Sequence, residues 1–405
     1  MRDFARLLQE LFMVRSVIVA AKRSPMGKFL GTLSPLPATA IGAQVAKTAV
    51  ESVSCPVDAI DWALIGQVLQ AGCGQNPARQ VALNAGLPST ITAVTVNQVC
   101  GSGLRATMNA DNNIRLDQAK IILAGGMESM SNAPYYVRGT RTGATKFGHI
   151  TMEDGMVADG LTCPFEGWGM GSAAEYTAHK YNISRDDQDA FAVESHRRAA
   201  AAQKAGHFKR TIASIEVPGK KGPTLFSEDE SIRADATIDD LKKLRPAFQK
   251  DGTVTAGNSS QLTDGAAMVL LASENEAARR GWPVRAKILA HTTFGVPPKE
   301  LFIAPVGAIR QVVEKAGLKL KDIDLFEINE AFAAQMLACI RQLEIPQDRV
   351  NVFGGAIALG HPIGCSGTRI LVTLINALEV LNLKRGVASL CLGGGNAVAM
   401  LIERP

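Results

Sequence analysis

The amino-acid sequence predicts a layered α/β fold built from two related halves, and three observations carry that prediction. Short β-branched strands alternate with alanine-rich helices at both ends of the chain. One strand–turn–helix, Ala93-Val94-Thr95-Val96-Asn97-Gln98-Val99-Cys100-Gly101-Ser102-Gly103-Leu104-Arg105, is centred on a cysteine followed at once by glycine. The second half repeats that design at Cys365-Ser366-Gly367-Thr368-Arg369, and repeats the strand Ile121-Ile122-Leu123-Ala124-Gly125-Gly126 at Leu390-Cys391-Leu392-Gly393-Gly394. Facing halves of this kind bring their turns to a shared cleft, the usual place for chemistry in such sheets.

In chain order, residues 16–21 read as a buried strand, followed by a Gly/Pro loop through Pro37 and an apolar helix over 40–52. Another strand is expected at 63–69, a helix at 76–85, the helix after Cys100 at 104–116, and a strand at 119–124 that ends where Gly125 begins. From Ser131 to about Gln261 alternation weakens and Gly, Lys and Asp increase. One helix stands out there, because Ser184 with Asp187 forms a capping-box signature ahead of residues 188–204. The expected organisation is an N-terminal half over 14–130, completed by about 263–282, a loop domain over 131–262, and a C-terminal half over 283–405.

Composition narrows the function classes. A chain of 405 residues with 46% hydrophobic and 20% charged residues is that of a soluble protein with more than one core. The net charge of +5 comes without a block of Lys or Arg, which argues against nucleic acid as a partner. Seven cysteines lack zinc-ligand spacing, and no run reads as membrane-spanning, so the expected setting is cytoplasmic with reduced thiols and no metal. Residues 1–12 mix leucines with Arg2, Asp3, Arg6 and Glu10; they read as a short amphipathic helix rather than a transit peptide, and the first strand signal just after Met13 leaves Met1 and Met13 both open as the native start.

Three side chains stand out chemically. Cys100 sits at a turn ahead of a helix, where unpaired N–H groups and positive potential favour the thiolate and lower its pKa, while flanking glycines leave the sulfur open to a substrate. The competing reading is a buried structural cysteine. His361 lies among glycines in Gly354-Gly355-Ala356-Ile357-Ala358-Leu359-Gly360-His361-Pro362-Ile363-Gly364, as a base or as a hydrogen-bonded core residue. Cys391 ends a strand directly before Gly393, Gly394 and Gly395, whose N–H groups can face a ligand. Asn329-Glu330 adds a polar pair between a strand and a helix.

Taken together and in this order, Val99-Cys100-Gly101-Ser102-Gly103, Asn329-Glu330-Ala331-Phe332, Gly354 to Gly367 and Cys391-Leu392-Gly393-Gly394-Gly395 resemble the thiolase family, nearest its acetyl-CoA acetyltransferase branch. The likeness runs from about Val14 to the C-terminus. It implies a five-layered αβαβα fold, a loop domain that holds coenzyme A, a homotetramer, and no resident cofactor besides coenzyme A and its thioesters as substrates. By the same resemblance Cys100 is the nucleophile, His361 its base, and Cys391 the acid/base at the substrate α-carbon. Asn329 holds a water that joins His361 in an oxyanion hole, and the N–H groups of Cys100 and Gly393 form a second. Arg233, Phe248, Ala256 and Ser260 match positions around coenzyme A, and Met170 a position in the acyl pocket.

Three departures accompany the match. Gly169 stands where biosynthetic members usually have histidine, Asp240 where serine is frequent, and Cys365 beside His361 where alanine is common. A 3-ketoacyl-CoA thiolase of fatty-acid breakdown would use the same residues. A decarboxylating condensing enzyme would need a second histidine at position 391, and a non-catalytic lipid-carrier homologue would have lost Cys100 or His361.

Overall fold

The computed structural model describes residues 15–143 and 146–405; the expectations for residues 1–12 and Met13 lie outside them. A mixed ten-stranded sheet runs through the molecule. Its strands are β1 (Ser16–Arg23), β2 (Gly27–Lys28), β3 (Trp62–Gly66), β4 (Thr92–Val96) and β5 (Ile121–Ser129), with β10 (Thr263–Ser273), β11 (Ala286–Gly295), β12 (Leu325–Ile328), β13 (Arg385–Leu392) and β14 (Asn396–Glu403). Between them in sequence lie two short hairpins, β6 (Tyr135–Tyr136) with β7 (Glu153–Asp154) and β8 (Ile215–Val217) with β9 (Thr224–Phe226).

Both halves carry one motif. In the first, β3 is parallel to β5, which is antiparallel to β10, which is antiparallel to β1. In the second, β12 is parallel to β13, which is antiparallel to β14, which is antiparallel to β11. The two meet where β1 pairs with β11 at Val17↔Lys287 and Ile18↔Ala286, so hydrogen bonding is continuous across the seam.

Helices complete the layers. Ala38–Glu51 and Pro77–Asn84 cover the outer face of the first half, burying Ile41, Val45, Val81 and Ala82 against Ile65, Leu123 and Met268. Ala304–Lys315 and Ala333–Leu343 cover the outer face of the second. Between the two half-sheets lie Ser102–Arg115 and Ile363–Val380, where Leu104, Met108, Ile370, Leu371 and Leu374 share one core with both. The architecture is therefore helix, sheet, helix, sheet, helix.

That central position corrects one expectation. Ile363–Val380 is long and apolar enough to cross a membrane by composition, although no such run was anticipated. Its apolarity has another cause here: sandwiched between two sheets, it needs apolar residues all round.

Boundaries also shift for identifiable reasons. β5 continues through Gly125 and Gly126 to Ser129 instead of ending at Ala124, because these glycines sit where a neighbour presses on the strand; a Cβ on Gly126 would lie 2.1 Å from the Gly364 carbonyl oxygen. Residues 131–262 hold a second helix, Met170–Lys180, besides the capped one, which starts at Arg185 with Ser184 Oγ accepting from the Asp187 N–H at 3.1 Å.

Candidate active site

The turn after β4 aims Cys100. Val99 adopts φ +47°, uncommon for a β-branched residue, and the chain then passes Gly101 into the helix Ser102–Arg115. Ser102 holds the turn closed: its Oγ donates to the Val99 carbonyl at 2.6 Å and accepts from the Gln98 N–H at 2.9 Å. The glycines have a different task from keeping the sulfur open. A Cβ on Gly101 would strike Leu392 at 2.5 Å, and one on Gly103 would meet Thr368 Oγ1 at 2.6 Å and the Gly364 carbonyl oxygen at 3.0 Å. They let the two central helices and β13 approach, which is what brings Cys100 to His361 and Cys391.

One cavity of about 580 Å³ is lined by Cys100, His361, Cys391 and Gly393, and also by Arg233, Phe248, Ala256, Ser260 and Met170. Of the anticipated site residues only Asn329 is absent from its wall. Asn329 is fully buried one layer behind, with Nδ2 3.5 Å from His361 Nε2. Its Oδ1 accepts from Arg369 Nη2 at 3.1 Å, which fixes the amide with its nitrogen toward the imidazole. The end of the cavity near Cys391 is apolar, built from Leu301, Phe302, Ala331 and Phe332. Phe248 packs edge-on against Phe332, 6.1 Å between ring centres, and Arg233 is exposed at the wall.

The hydrogen-bond network assigns the tautomer of His361. Ser366 Oγ donates to the Pro362 carbonyl at 2.9 Å, so its lone pair faces His361 Nδ1 at 2.6 Å and receives that N–H. Nε2 is left with the lone pair. Burial, helped by the buried Arg369 guanidinium, pushes the His361 pKa down to about 3, so the ring is neutral and able to accept a proton at neutral pH.

The thiols behave differently from the sequence expectation. Burial raises the Cys100 pKa to about 12, and the N–H groups of Gly393 and Cys100 directed at the sulfur only partly oppose this. Burial outweighs the turn's positive potential, so Cys100 rests as a thiol. Cys391 is raised well above 9, first by burial and then by the charge of Cys100.

Several supporting residues were not anticipated. Glu128, fully buried, accepts N–H groups from Val68 (3.1 Å), Leu69 (3.2 Å) and Gly364 (2.9 Å), tying the loop after β3 to the segment after His361. Its pKa is raised by burial to about 7. Glu330 accepts from Ser195 Oγ, Asn351 Nδ2 and the Ile357 N–H, holding the glycine segment that leads to His361. Glu128 and Glu330 both lie in stretches visible as motifs, but nothing in the letters says that a carboxylate will be fully buried. Asp240 does not line the cavity; it sits in a short helix with Thr237 and Lys243. Cys365 is buried in the central core. Among the described residues no cluster of three or more His, Cys, Asp or Glu could hold a metal ion.

Two thiols and a neutral imidazole thus line one cavity. The family model described as thiolase, N-terminal domain, matches residues 16–275, and that for the thiolase C-terminal domain matches residues 282–404. The chain belongs to the thiolase family. An acetyl-CoA acetyltransferase of Pseudomonas aeruginosa is 49% identical over 389 residues, covering 96% of this thiolase and 99% of the relative. A solved acetyl-CoA acetyltransferase of Bacillus anthracis superposes with TM-score 0.95 at 41% identity, covering 97% of this chain and 99% of that one. Human mitochondrial 3-ketoacyl-CoA thiolase superposes with TM-score 0.94, also at 41% identity and the same coverage.

Proposed function

We propose that this thiolase is an acetyl-CoA C-acetyltransferase that condenses two acetyl-CoA to acetoacetyl-CoA and free coenzyme A, and catalyses the reverse thiolysis. The observation that carries the reading is the convergence of Cys100, His361, Cys391 and Gly393 on one cavity. His361 Nε2 takes the Cys100 proton as the sulfur attacks the thioester carbonyl, and the N–H groups of Cys100 and Gly393 receive the oxyanion. The tetrahedral intermediate collapses, and coenzyme A leaves with a proton from Cys391, which becomes a thiolate, while His361 keeps on Nε2 the proton it took from Cys100. A second acetyl-CoA then binds. Its methyl carbon is a weak acid, so a strong base is required, and a thiolate held at high pKa is one. The enolate oxygen is received by the Nε2–H that His361 now carries and by a water positioned by Asn329. The enolate carbon attacks the acyl-enzyme, giving acetoacetyl-CoA and the Cys100 thiolate; Cys391 keeps the α-proton, and Cys100 recovers its own from His361, which restores the resting site.

In this reading Arg233, Phe248, Ala256 and Ser260 bind coenzyme A, Met170 borders the acyl group, and residues 131–262 form the coenzyme-binding loop domain between halves at 14–130 with 263–282 and 283–405. No resident cofactor or metal takes part. The proposed setting is a cytoplasmic homotetramer in acyl-CoA and fatty-acid metabolism.

Labelled acetyl-CoA tests the division of labour. Cys100→Ser is expected to take up no label while remaining folded, and Cys391→Ser to take up one acetyl group per chain yet release no acetoacetyl-CoA. Equal loss of labelling in both would refute it.

A further inference from the structure

Arg23 and Arg369 are both fully buried, and they are paired in opposite ways. Arg23 lies across Asp229 with two bonds of 2.7 Å and donates a third, at 3.0 Å, to the Ser24 carbonyl, so its charge is quenched where it sits. Arg369, on the helix Ile363–Val380, meets Glu327 through one contact of 3.4 Å, and its buried Nε–H has no acceptor among the described residues. Its other bond goes to Asn329 Oδ1 at 3.1 Å. Taking a guanidinium out of water is costly, and only close, complete pairing offsets the loss. A helix shaped for stability alone would be apolar at 369, as it is at Ile370, Leu371 and Val372.

What the loosely paired charge faces is the reacting imidazole. Asn329 stands between them, with Oδ1 on Arg369 and Nδ2 3.5 Å from His361 Nε2. A cation one side chain away opposes a second positive charge on the ring. The imidazolium formed when Nε2 takes the Cys100 proton is therefore a strong acid, which donates firmly to the enolate oxygen and gives its proton back to Cys100. A pair closed as tightly as Arg23 with Asp229 would mute that push.

Neighbouring groups do not cancel it. Glu327 is pushed up to about 8 by burial, so it keeps its proton at neutral pH. Glu330 is occupied by Ser195, Asn351 and the Ile357 N–H, and Glu128, which faces Cys100 and Cys365 from β5, by three backbone N–H groups. Arg198 faces Glu327 from the helix Arg185–Lys204 but bonds Glu194 and the Val350 carbonyl. The Cys365 thiol, pushed up to about 12, is uncharged.

We infer, on the proposed reading of His361 as base and Asn329 as holder of the enolate water, that Arg369 is a positioning residue left under-paired for function: its charge keeps His361 unprotonated and drives proton return to Cys100, while its Nη2–H aims the Asn329 amide.

The test compares the rate of acetyl labelling of Cys100 with the rate of condensation in wild type, Glu327→Gln, Arg369→Lys and Arg369→Met, with circular dichroism as the check on folding. An ion pair kept for stability would respond alike whichever partner is lost. Instead, Glu327→Gln, which breaks the pair and leaves the cation, is expected to keep both rates within threefold of wild type. Arg369→Met removes the charge and lets His361 take a proton more readily in acid, so its labelling rate should fall at least twofold further than wild type between pH 7.5 and 5.0. Arg369→Lys retains the charge and should restore the wild-type pH ratio. It lacks the planar Nη2–H, so condensation should slow at least tenfold while labelling does not. Should Arg369→Met fail to fold, Arg369→Lys and Glu327→Gln decide between them. Equal losses in those two, no condensation loss in Arg369→Lys, or an unmoved pH ratio in a folded Arg369→Met would overturn the role of Arg369. Absence of acetyl label on wild-type Cys100 would instead overturn the proposed reaction.

Discussion

The imidazole of His361 is useful because of what holds its other nitrogen. Ser366 accepts the Nδ1–H only because its own proton is committed to the Pro362 carbonyl, so the serine fixes a tautomer that a lone histidine would not keep. Ser366→Ala is expected to lower kcat by roughly tenfold to a hundredfold, the equivalent of about 1.5–3 kcal/mol for a hydrogen bond to a group that becomes charged, with KM little changed. Steady-state thiolysis kinetics check it, and a loss confined to KM would contradict the assignment. At this scale the sequence made the reacting atoms legible: Cys100, His361 and Cys391 stand in recognisable settings of glycine. Their supports were not. Ser366, Glu128 and Arg369 acquire their roles from burial and from partners 5, 236 and 40 positions away, and no local pattern encodes that.

Among the elements, the contact between Ser102–Arg115 and Ile363–Val380 does most to assemble the site. Each helix presents a glycine to the other: a Cβ on Gly367 would lie 2.5 Å from the Leu104 backbone nitrogen, and one on Gly103 would press on Thr368 and Gly364. Gly103→Ala is therefore expected to cost about 1–3 kcal/mol by overpacking, and to lower the acylation rate because the helices that carry Cys100 and follow His361 are forced apart. Urea denaturation midpoints and single-turnover labelling read the two effects separately. The repeat of Ser-Gly and Arg in the two turns was visible in the sequence. That the two copies would pack against each other was not, since the spacing of glycines looks the same whether it clears a substrate path or a helix contact.

For the whole molecule, buried titratable groups set how stability follows pH. His361 and His196 are held down to about 3 and 4, chiefly by burial, against an ordinary 6.5. Groups depressed in this way contribute stability that is present above pH 6.5 and lost as pH falls toward those values. Glu128 and Glu327 are pushed up to about 7 and 8 by burial, against 4.5, so their contribution is present below pH 4.5 and lost as pH rises through 7 and 8. Between pH 4.5 and 6.5 the slopes of these four groups oppose one another, and Asp264 and Glu330, also raised by burial, add to the decline with rising pH. The expected urea midpoint falls as pH rises from 6.5 to 8; a midpoint rising steadily over that range would contradict it.

By itself the sequence determined the layered α/β class, the duplication of the halves, and the two thiols and imidazole that line one cavity, because strand and helix periodicity and glycine-flanked turns are local properties written in consecutive residues. Only the tertiary structure decided that burial makes Cys100 a protonated thiol, that its glycines serve helix packing, and that Asn329 stands behind His361 instead of on the cavity wall. Those are matters of desolvation and close approach between segments far apart in the chain, and their energies exist only once the layers have closed.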